Sequence, residues 1–562
     1  MTSAQRSDGH RQAPIVLDGS SLSLEEVVAV ARHSAQVRLA DGAMDRVRKA
    51  RAWIDEIGQD DHILIYGVNT GFGPLANVHI PSDKMGDLTR NLILSHSVGI
   101  GPPLTQEAVR ATLLIRANTL AKGYSGIRCQ TLETLVDMLN RGVHPVVPEK
   151  GSVGASGDLA PLSHLALPLI GEGEAYFGGE RLAGGDAMRR AGLSPVRLGA
   201  KEGLALNNGT TVMAALGCLA LVDAQNLVDH AEIALAMSLE ALLGASRAYD
   251  ARLHAVRNHL GQQETAANVR RLIAGSELIN ATQRVQDAYS LRCGPQVLGS
   301  VRDTLAFVRT TLHSEINAAT DNPLIFLDEP GPNKAFSGGN FHGEPLALAL
   351  DFLGIAVAEV GSIAERRIFR LLDGTLSCGL PSMLTTESGL QSGLMLTQYT
   401  AAALVSDNKT LAHPDSVDSI PTGANQEDHV SMGTNAARHT REIIWNCERI
   451  IAIEFLCAAQ ALDYRLSCAG TDQQGTRMDG ESVPKEAGSG GQSLGIPPRL
   501  GTGTAASHQA LRADGVLPLT EDRSLAADIE QVASLIHCQQ ISSAVQEALD
   551  NGKFTAATEE RE

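Results

Sequence analysis

The stretch GSVGASGDLAPLSHLALPL, residues 151–169, contains three residues whose types and order could do chemistry. In a bent loop the amide nitrogen of Gly157 can attack the carbonyl carbon of Ala155, and glycine suits this role because it has no Cβ to obstruct the approach. Loss of one water from the ring and one from Ser156 then leaves a methylidene group conjugated to an imidazolone. Such a group is an electrophile that no encoded side chain supplies. The same residues are also compatible with a plain glycine-rich turn.

Two other chemistries of glycine-rich loops are excluded by spacing. The hydrolase elbow G-x-S-x-G needs a second glycine in register, which the run from Gly154 to Asp158 lacks. A phosphate-binding loop needs a Lys-Ser or Lys-Thr pair after its glycines, and none follows here. The stretch therefore predicts either the cyclised electrophile or a structural turn.

Two further loops contain residues suited to general-base catalysis and to carboxylate binding. Tyr66 stands in a loop rich in glycine, and a tyrosine with a reference pKa of about 10 must be tuned to act as a base near neutral pH. Arg292 follows AYSL, and its guanidinium could hold a carboxylate with two parallel hydrogen bonds. Tyr289 and Gln286 share that short segment. Taken alone, Tyr66 is more typical of a packed aromatic residue and Arg292 of a surface ion pair.

His96 and Glu427 are polar residues within otherwise apolar regions. An imidazole and a carboxylate facing a substrate imidazole could both hydrogen-bond its ring nitrogens. Asp428 and His429 directly follow Glu427, but adjacent residues point in different directions and lack ligand spacing. We therefore expect no metal at this run.

The longer blocks around these residues resemble the methylidene-imidazolone (MIO) family of aromatic amino acid ammonia-lyases and 2,3-aminomutases. The blocks lie in order within residues 16–466 and read IYGVNTGFGPLANV, RNLILSHSVGIG, KGSVGASGDLAPLSHLALPLIGEGEA, ALNNGTT, VQDAYSLRCGPQ, SGGNFHGEP and SVDSIPTGANQEDHVSMG. The resemblance implies that Ala155-Ser156-Gly157 forms the MIO group, so no metal and no dissociable cofactor is expected. It also implies a homotetramer whose active sites are shared between chains.

The same resemblance implies a role for each matching residue. Tyr66 corresponds to the base that removes the β-proton of the substrate, and Arg292 to the clamp on its carboxylate. Asn208, which by itself reads as a helix N-cap, corresponds to an asparagine that supports the MIO ring and the carboxylate; Asp158 would help to position the loop. The implied catalytic residues are Ala155, Ser156, Gly157, Tyr66, Asn208 and Tyr289. The implied substrate-binding residues are His96, Gln286, Arg292, Phe341 and Glu427.

Family members that act on histidine resemble this sequence at His96 and Glu427, which predicts elimination of ammonia from histidine to give urocanate. Three positions depart from the pattern, namely Asn207, Thr211 and Ala288. A lyase or 2,3-aminomutase for tyrosine or another aromatic amino acid is therefore an alternative within the family. A catalytically silent scaffold on the same fold is an alternative from another class.

The elements that must position these loops change character along the chain. The first 200 residues mix loops, helices and minor strands. The sequence predicts a helix that starts near Ser23, a strand that breaks into a loop within residues 63–78, and small strands at 174–184. Long apolar segments at 210–244, 341–372 and 437–466 predict helices deep in a bundle. The predicted fold is mainly α, with a long central helical bundle and a smaller mixed N-terminal domain that carries the active-site loops. The predicted boundaries are a disordered lead at 1–13, the N-terminal domain at 14–207, the bundle at 208–466, and a C-terminal polar excursion with helices at 467–562.

Composition limits the class of partner. The 562 residues have a net charge of −18, which argues against nucleic acid or an anionic membrane as a partner. The eight cysteines include no C-x-x-C pair and the N-terminal residues lack an apolar signal segment, so we expect reduced thiols and a cytoplasmic location. The apolar stretch 346–364 contains Asp351 and Glu359 and predicts a core helix rather than a membrane span.

Overall fold

The computed structural model describes residues 13–59, 63–467 and 497–559. Residues 1–12 of the predicted lead and most of the predicted polar excursion lie outside these ranges. The chain divides into two compact units. The first comprises residues 1–221, 307–352 and 413–441, and the second comprises residues 222–306, 353–412 and 442–562.

Short strands in the first unit fix the loops that lead to the site. The strands of the described ranges are β1 (Ile15–Leu17), β2 (Val37–Leu39), β3 (Ile100–Pro103), β4 (His144–Pro145), β5 (Pro148–Lys150), β6 (Glu174–Phe177), β7 (Glu180–Ala183), β8 (Leu324–Ile325) and β9 (Ala335–Phe336). β1 and β2 pair in parallel, whereas β3–β5, β4–β6–β7 and β8–β9 pair antiparallel. β6 and β7 confirm the minor strands predicted near residues 174–184.

Helices make up 59% of the structure, which confirms the mainly α prediction. Their bounds are α1 Leu24–His33, α2 Asp41–Ile57, α3 Met85–His96, α4 Gln106–Ala121, α5 Cys129–Arg141, α6 Leu159–Ala166, α7 Gly184–Arg190, α8 Glu202–Asn207, α9 Thr211–Ala241, α10 Ala251–Ala255, α11 Leu260–Leu272, α12 Tyr289–Arg292, α13 Gly294–Glu315, α14 Glu344–Leu372, α15 Met395–Leu411, α16 Gly433–Ser467, α17 Thr502–Ala513, α18 Ala526–His537 and α19 Gln540–Glu559. The predicted start near Ser23 is correct, because Ser23 and Glu26 form a capping box at α1.

Small residues allow the long helices to approach closely. A Cβ added to Gly217 of α9 would lie 2.9 Å from Leu312 of α13 and 3.0 Å from Leu350 of α14. A Cβ added to Gly361 of α14 would lie 2.9 Å from Cys447 of α16. Contacts this short would force the neighbouring side chains to move, so glycine at both positions allows the present close packing.

Two helices, α9 and α14, are long and apolar enough to cross a membrane by length and composition. Within the chain, however, 83% of the apolar window of α9 and 61% of that of α14 are buried. Burial of this extent is typical of core helices, as the charged residues Asp351 and Glu359 predict for α14.

The predicted strand before Tyr66 does not form. The side chain of Asn69 accepts a hydrogen bond from the Ile65 amide at 2.8 Å and donates one to the Ile63 carbonyl at 2.8 Å. Because Asn69 satisfies these backbone groups, residues 63–65 need no partner strand, and the chain turns at residues 66–69. Tyr66 therefore lies in a compact loop. The residue after it, Gly67, has a φ of +69°.

Candidate active site

The Ala155-Ser156-Gly157 segment forms a tight turn between two glycines in the left-handed region. Gly154 has a φ of +71° and Gly157 a φ of +69°, and an added Cβ at Gly157 would lie 2.2 Å from the backbone of Gly209. The Gly209 amide donates to the Ser156 carbonyl at 3.1 Å. The turn is thus pressed against a second backbone, and only glycine at position 157 permits that approach.

Asp158 anchors the end of this turn to the start of another helix. Its buried carboxylate accepts hydrogen bonds from the amides of Val212 and Met213 at 2.8 and 2.9 Å, and from the hydroxyls of Ser152 and Thr434. Burial raises the pKa of the Asp158 carboxyl, and these donors oppose the increase. The side chain therefore caps α9, whereas the sequence places it at the start of α6, where it makes no capping bond.

A cavity of about 630 Å³ opens over the turn within the first unit. The residues assigned from sequence that line it are Tyr66, His96, Ala155, Ser156, Asn208, Phe341 and Glu427. The apolar part of the cavity lining includes Phe72, Leu92, Leu159 and Leu204. The structure thus brings together residues that lie as much as 361 positions apart, from Tyr66 to Glu427.

Tyr66 projects into this cavity beside a carboxylate. Its hydroxyl accepts a hydrogen bond from the Gly73 amide at 3.2 Å, and its ring packs edge-on against Phe72 with the centroids 6.2 Å apart. Burial raises the pKa of the Tyr66 phenol, and the charge of Glu427 raises it further, while the Gly73 amide acts in the opposite direction. In the isolated chain the phenol therefore holds its proton at neutral pH.

His96 and Glu427 supply the polar groups of the same cavity. Burial lowers the pKa of His96 below its usual value, and the charge of Glu427 opposes this decrease. His96 Nδ1 lies 3.0 Å from the Ser95 hydroxyl. One carboxylate oxygen of Glu427 is buried and has no hydrogen-bond partner within the described ranges. An unpartnered acceptor next to a neutral imidazole is suited to binding a ligand that offers ring N–H groups.

Asn208 is held by a buried ion pair that sequence reasoning missed. Its amide nitrogen donates to Asp321 Oδ1 at 3.1 Å and to the Asn322 carbonyl at 3.3 Å. Asp321 Oδ2 in turn accepts from Lys201 Nζ at 2.7 Å, and both charged side chains are fully buried. Asn208 also does not cap α9, since it terminates α8. The burial of Lys201 could not be predicted from the sequence, because lysine is rarely buried.

Three of the predicted residues belong to the second unit and do not line the cavity of the first. Gln286 and Tyr289 are exposed, and the Tyr289 side chain is accessible over 71% of its surface. The guanidinium of Arg292 lies over the Tyr289 ring at 4.7 Å, and its Nε has no hydrogen-bond partner in the described chain. Arg292 and Tyr289 thus form a cation–π contact on a partly exposed segment.

One group of side chains at the cavity rim resembles a cation site. Donor atoms of His342, Glu344 and His429 lie within 4.8 Å of one another. However, His342 Nδ1 accepts from the Glu344 amide and His342 Nε2 faces the His429 carbonyl, each at 3.3 Å. Because both ring nitrogens are engaged, we assign no metal here, and the expectation of no metal stays a prediction.

The chain matches known carbon–nitrogen lyases along most of its length. The family model for aromatic amino acid lyases matches residues 22–480 of the chain. The chain therefore belongs to the aromatic amino acid lyase family.

Individual relatives agree with this membership. The histidine ammonia-lyase of Symbiobacterium thermophilum is 52% identical over 94% of this chain and 97% of its own length. The crystal structure of histidine ammonia-lyase from Trypanosoma cruzi is 41% identical, covers 95% of this chain and 96% of that chain, and has a TM-score of 0.83. Tyrosine aminomutase from Streptomyces globisporus is 38% identical, with 95% and 99% coverage and a TM-score of 0.85.

Proposed function

We propose that the protein is an ammonia-lyase that converts histidine to urocanate. The observation that carries this proposal is the position of His96 and Glu427 in the same cavity as Ala155 and Ser156. A neutral imidazole and an unpartnered carboxylate oxygen can hydrogen-bond both ring nitrogens of a histidine side chain. The histidine ammonia-lyase at 52% identity supports the same substrate.

The residues around Ser156 fit the MIO group. The turn is bounded by two glycines at positive φ, its end is fixed by Asp158, and Ala155 and Ser156 face the cavity. The group would supply an electrophile for the substrate amine, which converts a poor leaving group into one that can depart. No dissociable cofactor is proposed.

The side chains of the chain itself supply positioning and proton transfer. Tyr66 would remove the β-proton, which requires its phenolate form. Burial and the charge of Glu427 disfavour that form in the isolated chain, whereas the hydrogen bond from the Gly73 amide favours it. The guanidinium of Arg292 would bind the substrate carboxylate with two parallel hydrogen bonds.

We further propose a homotetramer in which Gln286, Tyr289 and Arg292 of one chain complete the cavity of another. The exposure of Tyr289 supports this arrangement, since the ring is left largely uncovered by the described residues of one chain. Val285, on the same segment, is an apolar side chain with full exposure, as expected for a surface that another subunit covers.

A second candidate is a lyase or 2,3-aminomutase for tyrosine. The tyrosine aminomutase structure, with a TM-score of 0.85 over 95% of this chain, favours this candidate. The two candidates make different products from different substrates.

Separate incubations with histidine, tyrosine and phenylalanine, in which unsaturated acids and β-amino acids are both followed, test the choice. We expect urocanate from histidine alone. Coumarate, cinnamate or a β-amino acid as the main product would refute the proposal.

A further inference from the structure

The amide of Asn208 has a fixed orientation. Its nitrogen faces two acceptors, Asp321 Oδ1 at 3.1 Å and the Asn322 carbonyl oxygen at 3.3 Å. A reversed amide would point its oxygen at two other oxygens, which is repulsive. Both hydrogens of the amide nitrogen are therefore committed, and only the carbonyl oxygen of Asn208 is free.

Asp321 is held in place as an acceptor. Its Oδ2 accepts from Lys201 Nζ and its Oδ1 from the Asn322 amide, each at 2.7 Å. Arg116, which is also fully buried, adds a second positive charge nearby. Lys201 has a φ of +68°, a strained conformation for a residue with a side chain, and strain of this kind is typical of functional sites.

The carbonyl oxygen of Asn208 is consequently an acceptor without a donor. It is buried and has no hydrogen-bond partner in the part of the chain that the structure describes. Asn208 lines the cavity together with Ala155 and Ser156. Of the two groups on the α-carbon of an amino acid, the amine carries hydrogens to donate, whereas the carboxylate carries none.

We propose that Lys201 and Asp321 are positioning residues that fix Asn208 as the acceptor for the amino group of the substrate. Asn208 then orients the amine toward the turn at Ser156 and does not bind the carboxylate. This role differs from the carboxylate contact that the family resemblance implies for Asn208. The inference rests on the proposed function, because it requires an α-amino acid as substrate.

Equilibrium binding separates the two roles without turnover. In a Ser156→Ala background, histidine and 3-(imidazol-4-yl)propanoate, which has the same ring and carboxylate but no amine, are titrated by calorimetry. Adding Asn208→Ala should weaken histidine binding about tenfold or more, as expected for a hydrogen bond to a charged amine, and leave propanoate binding unchanged. Asn207→Ala is the matched control, since Asn207 is buried but donates to Ser163 and does not line the cavity.

The positioning role is tested by Asp321→Asn, which lets the Asn208 amide reverse. In the Asp321→Asn variant, the ratio of the affinity for histidine to the affinity for the propanoate should fall toward the ratio measured for Asn208→Ala. If this variant unfolds, Asp321→Asn with Lys201→Met removes both charges and gives the same readout.

Equal losses for the two ligands, or no loss for either, would overturn the inference. The proposed function fails separately, if wild-type protein forms no urocanate from histidine. In that case the titration uses the amino acid that is turned over and its analogue without the amine.

Discussion

If active sites are shared between chains, two inactive variants should restore activity when they assemble together. Tyr66 lines the same cavity as Ala155 and Ser156, whereas Arg292 lies on an exposed segment of the second unit. Tyr66→Phe removes the base and Arg292→Ala removes the carboxylate clamp, so each variant alone should be nearly inactive. In tetramers assembled at random from equal amounts of both, about one quarter of the sites receive an unaltered Tyr66 and an unaltered Arg292.

The assay is urocanate formation by the co-expressed variants, purified through a different tag on each chain so that only mixed tetramers are measured. Because tetramers of a single variant are removed by the purification, about two sevenths of wild-type activity is expected. The matched control pairs Tyr66→Phe with Ser156→Ala, because both positions line one cavity of one chain and no site can then be intact. Mixed tetramers of Tyr66→Phe and Arg292→Ala that are no more active than the separate variants would refute the shared-site arrangement.

Further predictions concern charge and packing. Glu427→Gln removes a charge that raises the Tyr66 pKa, so the rise of kcat with pH should move to lower pH; an unchanged or higher midpoint would contradict this electrostatic coupling. Lys201→Met leaves the Asp321 carboxylate buried without its partner and should lower the free energy of unfolding by about 3–5 kcal/mol, measured by urea denaturation. Gly217→Ala should cost about 1–3 kcal/mol in the same measurement, because the new Cβ would meet the side chains of Leu312 and Leu350; a neutral result would show that these side chains can move aside.

Much of the site could be predicted from sequence because its chemistry depends on short runs with few alternatives. The run Ala-Ser-Gly at 155–157 could be recognised, since the proposed ring closure and loss of water need a serine followed directly by a glycine. The long segments that become α9, α14 and α16 could also be predicted, because they are apolar over much of their circumference and, apart from Pro345, contain no proline. The fold class therefore followed directly from local pattern.

Contacts over long sequence distances were not predictable. Asp158 sits before α6 and looks like its cap, yet its carboxylate binds amides more than 50 positions away, at Val212 and Met213. The residue types before Tyr66 predict a strand, which would need a partner strand. The side chain of Asn69 instead forms hydrogen bonds with the backbone of Ile63 and Ile65. In both cases a polar side chain competes with regular structure, and its partner is chosen by tertiary packing that a single sequence does not display.

The central claim is that Ala155-Ser156-Gly157 becomes the electrophile of the active site. Intact-mass spectrometry of the purified protein tests it most directly. The protein should be lighter than its encoded sequence by the mass of two water molecules, and Ser156→Ala should not show that deficit. A wild-type protein with its full encoded mass would contradict the claim.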